Sequence, residues 1–388
     1  STMIDLKTTI GNPEFFPVLE HYDFFNHAGV SPLPKPSADA FVEYAKQVAT
    51  LAYVNSRWPA RIDETRELSA TFLNCTKEEI AFIRNTSEGL SIVANGIDWH
   101  PGDRIVTTNV EYPANMYPWM NTSARFGTEV VRVNEETDAN GRRAVPMEKI
   151  FEAARHPNTR LIALSHVEFA SGQRHDLAAI GEFCRQQRIL LSVDAIQSLG
   201  AVPVDVKAMK IDYLSADGHK WLLAPEGAGI FYCRKELLQQ TRPLTIGWMN
   251  VVNAQNFDQY DFTLRADSGR FESGSHNVPG VLALKESLAL LHGLGMEAVS
   301  QRIKTLGDYL IERLSSKGYT IASPRAGNQW SGIISFVSPK HDSAQIMAML
   351  RKDHKTELMV RDKRLRVAPH FYNTEAQMDR LVEHLPAH

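Results

Sequence analysis

The chain has 388 residues, 43% of them hydrophobic and 22% charged, the balance of a soluble globular protein with two or three structural units. Its 42 basic and 45 acidic residues leave a net charge of −3, and no dense lysine or arginine run builds a stripe for nucleic acid. A small molecule is the default partner.

Lys35–Leu51 and Pro59–Leu73 repeat apolar residues at a helical period, the second opening on a proline suited to a first helical turn. From residue 80 to about 235, short β-branched runs alternate with helical patterns. The predicted strands are Ile80–Arg84, Arg104–Thr108, Glu129–Val133, Arg160–Ser165, Ile189–Asp194, Asp212–Ala216 and Ala228–Cys233. Helices are predicted at Glu88–Ile97, Ala114–Arg125, Pro146–Arg155 and Leu177–Arg188. This alternation implies βαβ units and a mostly parallel sheet with helices on both faces. The link from Ala216 to Ala228 is too short for a helical crossover, so one strand of that pair is expected to run antiparallel. Residues 242–275 are irregular, and helices Val278–Leu291 and Met296–Lys317 follow. The end reads as a small α+β unit: strand Gly332–Val337, helix Ser343–Asp353, strand Leu365–Ala368 and helix Thr374–His384. The expected organisation is a segment at 1–25 packing on the small domain, a large domain over 26–280 and a small domain over 281–388.

Three features carry chemistry. Asp194 closes a buried strand at the edge where open α/β sheets bind ligands, and a carboxylate there needs a cationic or hydrogen-bonding partner. Lys220 follows in DGHKW, where desolvation would lower its pKa and favour a neutral, nucleophilic amine. Taken alone, a structural salt bridge or a solvated loop lysine is the commoner reading of such a pair. In IAFIRNTSEGL at 80–90, Thr86 and Ser87 sit where a helix begins, either cradling a phosphate or merely capping the helix. No GxGxxG follows a strand and no Walker lysine pattern occurs, so dinucleotides and nucleoside triphosphates lack their fingerprints. A phosphate site, a buried carboxylate and a reactive lysine together meet the needs of pyridoxal 5′-phosphate.

With VDAIQSLGAVPVDV at 193–206 and GHKWLLAPEGAGIFY at 218–232, and with NHAGVSPLP at 26–34 and RVAPHFYNT at 366–374, the chain resembles the class V aminotransferase family. These are fold-type-I pyridoxal-phosphate enzymes, and the resemblance lies with the branch of cysteine desulfurases, isopenicillin-N-epimerase-like proteins and C–S lyases. It implies an α/β fold with a mostly parallel seven-stranded sheet in a large domain, plus a smaller C-terminal α+β domain. By the same resemblance, Lys220 holds the cofactor as a Schiff base and shuttles the substrate Cα proton, while Asp194 pairs with the pyridinium nitrogen. Gln197 would bond the phenolic oxygen, and Thr86, Ser87 and His219 the phosphate. Ser275, in FESGSHN, stands where relatives usually carry a threonine that reaches a partner subunit's phosphate, which implies a homodimer. Tyr112, in EYPANMYPW, matches the segment covering the cofactor face, and Arg366 matches the arginine that binds the substrate α-carboxylate. Asn26 and His27 lie where relatives bring an N-terminal segment to the substrate, and His370 could share the carboxylate pocket. His166 faces the cofactor or is a core histidine.

Desulfurases that pass sulfur through a persulfide carry a cysteine in the loop before the C-terminal arginine; here DHKTELMVRDKRLRV has none. The three cysteines, Cys75, Cys184 and Cys233, form no CxxC pair, which supports neither a disulfide framework nor a zinc ribbon. No His/Asp/Glu spacing suggests a metal site. The expected reaction is a lyase-type β-elimination on a small, sulfur-bearing L-amino acid. Transamination to a 2-oxo acid and epimerisation start from the same Cα deprotonation and stay open, and a non-catalytic relative is a remoter reading. With no leader-like start and no membrane-length apolar run, a cytoplasmic location is expected.

Overall fold

The computed structural model describes residues 4–388. Its main sheet is built from β1 (Ile80–Ile83), β2 (Arg104–Thr108), β3 (Glu129–Val133), β4 (Thr159–Ser165), β5 (Leu190–Asp194), β6 (Tyr213–Ala216) and β7 (Gly229–Cys233). They lie side by side in the order β1-β7-β6-β5-β4-β2-β3. Strands β3, β2, β4, β5 and β6 run parallel, and β7 runs antiparallel to both β6 and β1, as the short link requires. The apolar runs of β5 to β7 are buried nearly end to end, because helices cover both faces of the sheet.

The covering helices are α1 (Lys35–Thr50), α2 (Trp58–Leu73), α3 (Thr86–Gly96), α4 (Tyr117–Phe126), α5 (Met147–Ala154), α6 (Leu177–Gln187) and α7 (Val278–Leu294). Helix α7 starts on Asn277, whose side chain caps the Gly280 N–H, and it tolerates Pro279 because a proline in the first turn breaks no intrahelical bond. It runs unbroken through position 281 and packs on α1 and α2.

Beyond it lie α8 (Met296–Ser316), β8 (Thr320–Ile321), β9 (Ile334–Val337), α9 (Ser343–His354), β10 (Met359–Arg361), β11 (Arg364–Val367) and α10 (Glu375–His384). The four strands form an antiparallel sheet in the order β8-β9-β11-β10. Leu306, Leu310 and Leu314 of α8, Ile346 and Leu350 of α9, and Met378 and Leu381 of α10 close a separate core over it. The N-terminal segment joins this unit: Asp23–Phe24 pairs in parallel with Thr356–Glu357, and the Gly11 N–H donates to the Tyr372 carbonyl at 2.8 Å. The two sheets meet at Trp221, where a Cβ on Gly332 would lie 2.2 Å from the indole, so only glycine admits that approach. The loop holding Trp221 also holds Lys220.

Candidate active site

Helix α3 is brought against the sheet by Gly89, where a Cβ would strike the Ser215 hydroxyl at 2.3 Å. Asn85 caps it by accepting from the Glu88 N–H at 2.8 Å, leaving the N–H groups of Thr86 and Ser87 ahead of the first intrahelical bond. The Thr86 hydroxyl oxygen accepts from the Asp217 N–H at 3.0 Å and keeps its own proton to donate. Asp217 in turn accepts from the Gly218 N–H at 2.7 Å and lies 3.1 Å from His219 Nδ1. Thr86 and His219 are thus tied to one acidic turn, and Ser87 stands exposed beside them.

The turn after His219 is tight: Ala224 N–H reaches the Gly218 carbonyl at 2.8 Å, and Leu223 takes a left-handed φ of 60°, a conformation a leucine adopts only under surrounding constraint. Lys220 Nζ sits 5.4 Å from the centroid of the Tyr112 ring. Burial pulls its amine down to about 8, the positive Arg366 adding to the effect and Asp194 opposing it. Asp194, only 2% exposed, accepts from the Ile196 N–H at 3.0 Å and has no ion-pair partner among the described residues. Burial pushes it up to about 7, against the Ile196 N–H and Lys220 and with the help of the charge on Glu111. Arg366, 1% exposed, donates to the Phe169 carbonyl at 3.0 Å and to Asn26 Oδ1 at 3.4 Å, and its Nε has no partner. Burial, then the neighbouring Arg361, pulls it down to about 9. Tyr112 is 45% exposed and packs edge-on against Phe169 at 5.3 Å.

Several expected contacts turn out to be braces. His27 is enclosed: its Nδ1–H donates to the Ala368 carbonyl at 2.7 Å and its Nε2 accepts from the Tyr372 hydroxyl at 2.6 Å. Both nitrogens of His370 are also taken, Nε2–H by the Trp221 carbonyl at 2.8 Å and Nδ1 by the Phe371 N–H at 2.9 Å. Contact of either ring with substrate would break these bonds, and burial holds both far on the neutral side, His370 at about 4. This corrects the expectation that they line the substrate pocket. They steady the lysine segment instead: Ser31 donates through its N–H to the His219 carbonyl at 2.8 Å and through its hydroxyl to the Lys220 carbonyl. Gln197 spans the same joint, donating to the Ala28 carbonyl at 3.0 Å and accepting from Trp221 Nε1 at 2.9 Å, which leaves one amide hydrogen free.

His166 is buried, its Nδ1 unpartnered and burial pulling it down to about 3. Ser275 is exposed, in a surface cleft with Arg84, Glu88 and His276. Sequence reasoning passed over Glu111, Glu168 and His175, all buried. A glutamate close behind the apolar strand residues of LIALSHVEFA was the available signal.

The donor set fits pyridoxal phosphate. A buried carboxylate without an ion pair and a buried guanidinium without a carboxylate among the described residues, with a half-buried amine in electrostatic reach of both, leave charges that a ligand carrying a basic ring nitrogen and an acidic partner would satisfy. The sheet with its antiparallel β7, and the lysine turn after β6, define a fold-type-I architecture. The description "Aminotransferase class-V" matches residues 24–381. The chain belongs to that family, and it is a pyridoxal-phosphate-dependent enzyme of cysteine-desulfurase-like type. It is 28% identical to a probable cysteine desulfurase of Pyrococcus abyssi, over 94% of this chain and 93% of that one. It is 27% identical to the uncharacterized aminotransferase YcbU of Bacillus subtilis, over 96% of each. Among solved structures it resembles the cystine C–S lyase C-DES in complex with its product cysteine persulfide, with a TM-score of 0.85 at 24% identity over 95% of this chain and 98% of that one. A variant of C-DES with glycine covalently linked to the PLP cofactor superposes with a TM-score of 0.87 at 24% identity over 96% and 98%.

Proposed function

We propose that this enzyme cleaves a small sulfur-bearing L-amino acid by a lyase-type reaction, with Lys220 as the group that holds the cofactor and moves the substrate Cα proton. The observation that carries the reading is the half-buried Lys220 amine, 5.4 Å from the Tyr112 ring centroid and within electrostatic reach of both Asp194 and Arg366. When bound, the cofactor supplies an aldehyde for that amine and a ring that draws electrons from Cα. Lys220, pulled down to about 8, carries enough neutral amine near neutral pH to accept a proton. Asp194 supplies the negative charge that keeps the ring nitrogen protonated. Arg366, pinned by Phe169 and Asn26, presents its guanidinium to the substrate α-carboxylate, the pairing its planar fork suits. Thr86, Ser87 and His219 hold the phosphate, Gln197 gives its free amide hydrogen to the phenolic oxygen, and Tyr112 covers the ring.

The lyase reading is supported by the cysteines. Cys184 and Cys233 are buried and Cys75 packs against the core, burial pushing all three thiols up, so none stands ready as a persulfide carrier. The relative named a C–S lyase lies in the same direction. We further propose a homodimer in which Ser275 reaches the partner's cofactor phosphate. Leu51, Tyr53 and Val54 at the α1–α2 link, with Trp248, Phe257, Tyr260 and Phe262 in the irregular segment, are exposed apolar side chains of the kind an interface covers. Three unpaired thiols accord with a reducing cytoplasm.

The test is product analysis. The holoenzyme is incubated with L-cystine, L-cysteine and sulfur-free L-amino acids, and pyruvate, ammonia, sulfide and the amine form of the cofactor are measured. Pyruvate and ammonia from a sulfur substrate, with no build-up of the amine form, are expected. Stoichiometric amine form with a 2-oxo acid would overturn the lyase reading in favour of transamination.

A further inference from the structure

A cleft of about 800 Å³ opens between the large and small domains, and none of the residues assigned to cofactor or substrate lines it. One wall is the turn at 138–142, in the hairpin that pairs Glu136–Thr137 with Arg143–Ala144. The Asp138 carboxylate accepts from the N–H groups of Asn140 at 2.8 Å and Arg142 at 3.0 Å, and Gly141 takes a left-handed φ of 85°. A Cβ on Gly141 would crowd the Thr320 methyl at 2.9 Å, so glycine lets this turn close on the small domain. The Arg143 N–H donates to the Ala322 carbonyl at 2.8 Å and seats the hairpin there. The facing wall is the loop 324–329, tied to the large domain by the Arg174 N–H on the Gln329 carbonyl at 2.9 Å.

Three guanidiniums line this cleft. Arg174 donates through Nε to the Asn328 carbonyl at 2.7 Å, and its Cζ lies 4.4 Å from the centroid of the Trp330 ring. These contacts fix its plane and leave both Nη groups to the cleft. Arg142 donates through Nη1 to the Ile321 carbonyl at 2.8 Å and keeps Nε and Nη2. Neither arginine is ion-paired among the described residues. Arg325 pairs with Asp308 and donates to the Ser331 carbonyl at 3.3 Å. The carboxylates on the cleft are each engaged: Asp138 by its turn, Asp176 by the Ala179 N–H at 3.1 Å, and Glu136 by Lys149 at 2.5 Å. Burial pulls Arg142 and Arg174 below the ordinary arginine value, with the charge of Arg325 adding to the effect and Asp138 and Asp176 opposing it. The side-chain amides of Asn140, Asn328 and Gln329 make no hydrogen bond among the described residues.

We propose that this cleft binds a small organic anion, its carboxylate or phosphate gripped by Arg142 and Arg174 while Arg325 adds a third positive charge. Guanidinium forks held by main-chain carbonyls, one of them over an aromatic face, are set in advance for paired N–H···O bonds to either acid group. Two unpaired guanidiniums beside a third repel one another in the empty cleft, and a bound anion relieves that repulsion. The volume is that of a metabolite pocket, which runs from about 300 to 1,000 Å³, and is far more than one inorganic ion fills. The body of the ligand therefore meets the free amides of Asn140, Asn328 and Gln329. Arg142 and Arg174 come from the large domain and Arg325 and Asn328 from the small one, so the ligand bridges the two. The site stands apart from the proposed reaction and does not depend on it.

The test is calorimetric titration of the protein saturated with pyridoxal phosphate, in phosphate-free buffer, with citrate and with glucose 6-phosphate as probes of the two acid groups. Saturation fills the proposed phosphate cradle at Thr86, and Arg366→Ala removes the proposed carboxylate site beside Lys220. At least one probe should bind once per chain, keep its affinity in Arg366→Ala and raise the thermal midpoint. Arg142→Gln and Arg174→Gln should each weaken that binding about tenfold or more, the scale for losing one charged hydrogen-bonding partner. Because both arginines also hold carbonyls, Asn328→Glu gives a second arm. It places a carboxylate on an exposed rim position beside Arg174, breaks no side-chain bond, and should weaken binding by a similar factor while keeping the cofactor's visible band. Binding of citrate alone would mark a carboxylate ligand, and of glucose 6-phosphate alone a phosphate ligand. No binding of either probe, binding that disappears in Arg366→Ala, or wild-type affinity in both Arg174→Gln and Asn328→Glu would overturn the site.

Discussion

Glu272 and Asp194 are both buried carboxylates in the same chain, but they are treated in opposite ways. Glu272 receives a two-pronged contact from Arg66 at 2.6 and 2.9 Å, the Phe82 N–H at 2.8 Å and His276 Nε2 at 2.7 Å. Burial alone would raise it, yet Arg66 and His276 hold it down to about 2. Asp194 has one backbone N–H and stands at about 7, with Lys220 and Arg366 drawn towards neutrality nearby. The first cluster locks a charge that joins α2 to the irregular segment. The second leaves its charges unanswered, which is unfavourable for the fold alone and useful only when a ligand completes them.

Substitutions on the two sides should separate these roles. The largest effect is expected for Lys220→Ala, which should abolish the visible absorbance of lysine-bound cofactor and cut turnover about 10²–10⁴-fold; a variant that keeps the band would remove Lys220 from its role. On the structural side, Glu272→Ala leaves Arg66 buried without its partner and should cost about 3–5 kcal/mol in denaturant unfolding. Because Glu272 is held below its ordinary 4.5, its stabilisation is fully present above that pH and is lost as pH falls towards 2, and acid unfolding of the variant should lack this phase. Arg366→Ala should raise KM for amino acids by the equivalent of about 2–5 kcal/mol, the scale for removing one partner of a buried charged contact. Asp194→Asn should reverse the usual sign. Asp194 is raised, so its ionisation costs stability as pH rises from its ordinary 3.8 towards 7, and above that the apoprotein of the variant should be more stable by about 1–3 kcal/mol while activity falls. An effect of similar size is expected for Gly332→Ala, where the clash with Trp221 should cost about 1–3 kcal/mol and displace the lysine turn, read as a lower thermal midpoint and a shifted cofactor band.

The main sheet was legible because its strands are buried on both faces, so β2 and β3 match their predicted spans and the other five differ by a single residue at one end. Helix α3 begins two residues earlier than predicted, at Thr86, because Asn85 takes the cap. The short ladders were not legible: Asp23–Phe24 and Thr356–Glu357 are two residues each, and β10, MVR, has no alternation long enough to mark a strand. Asp194 and Lys220, the pair proposed to hold the cofactor, lie within one stretch of sequence that a strand and a turn position. His27 and His370 were misread because their partners, Ala368, Tyr372 and Trp221, lie in other segments. Glu111 was overlooked for the same reason, since Ser165, which donates to it at 2.8 and 2.7 Å, comes from another strand.

The clasp formed by residues 26–31 and 366–372 on the lysine turn also has a consequence for biogenesis. A growing polypeptide already has Lys220 while the segment whose His370 steadies the turn, over 140 residues downstream, has yet to be made. Capture of vitamin B6 should therefore follow synthesis and closure of the small sheet, and exposed lysines of immature chains would compete poorly for the aldehyde.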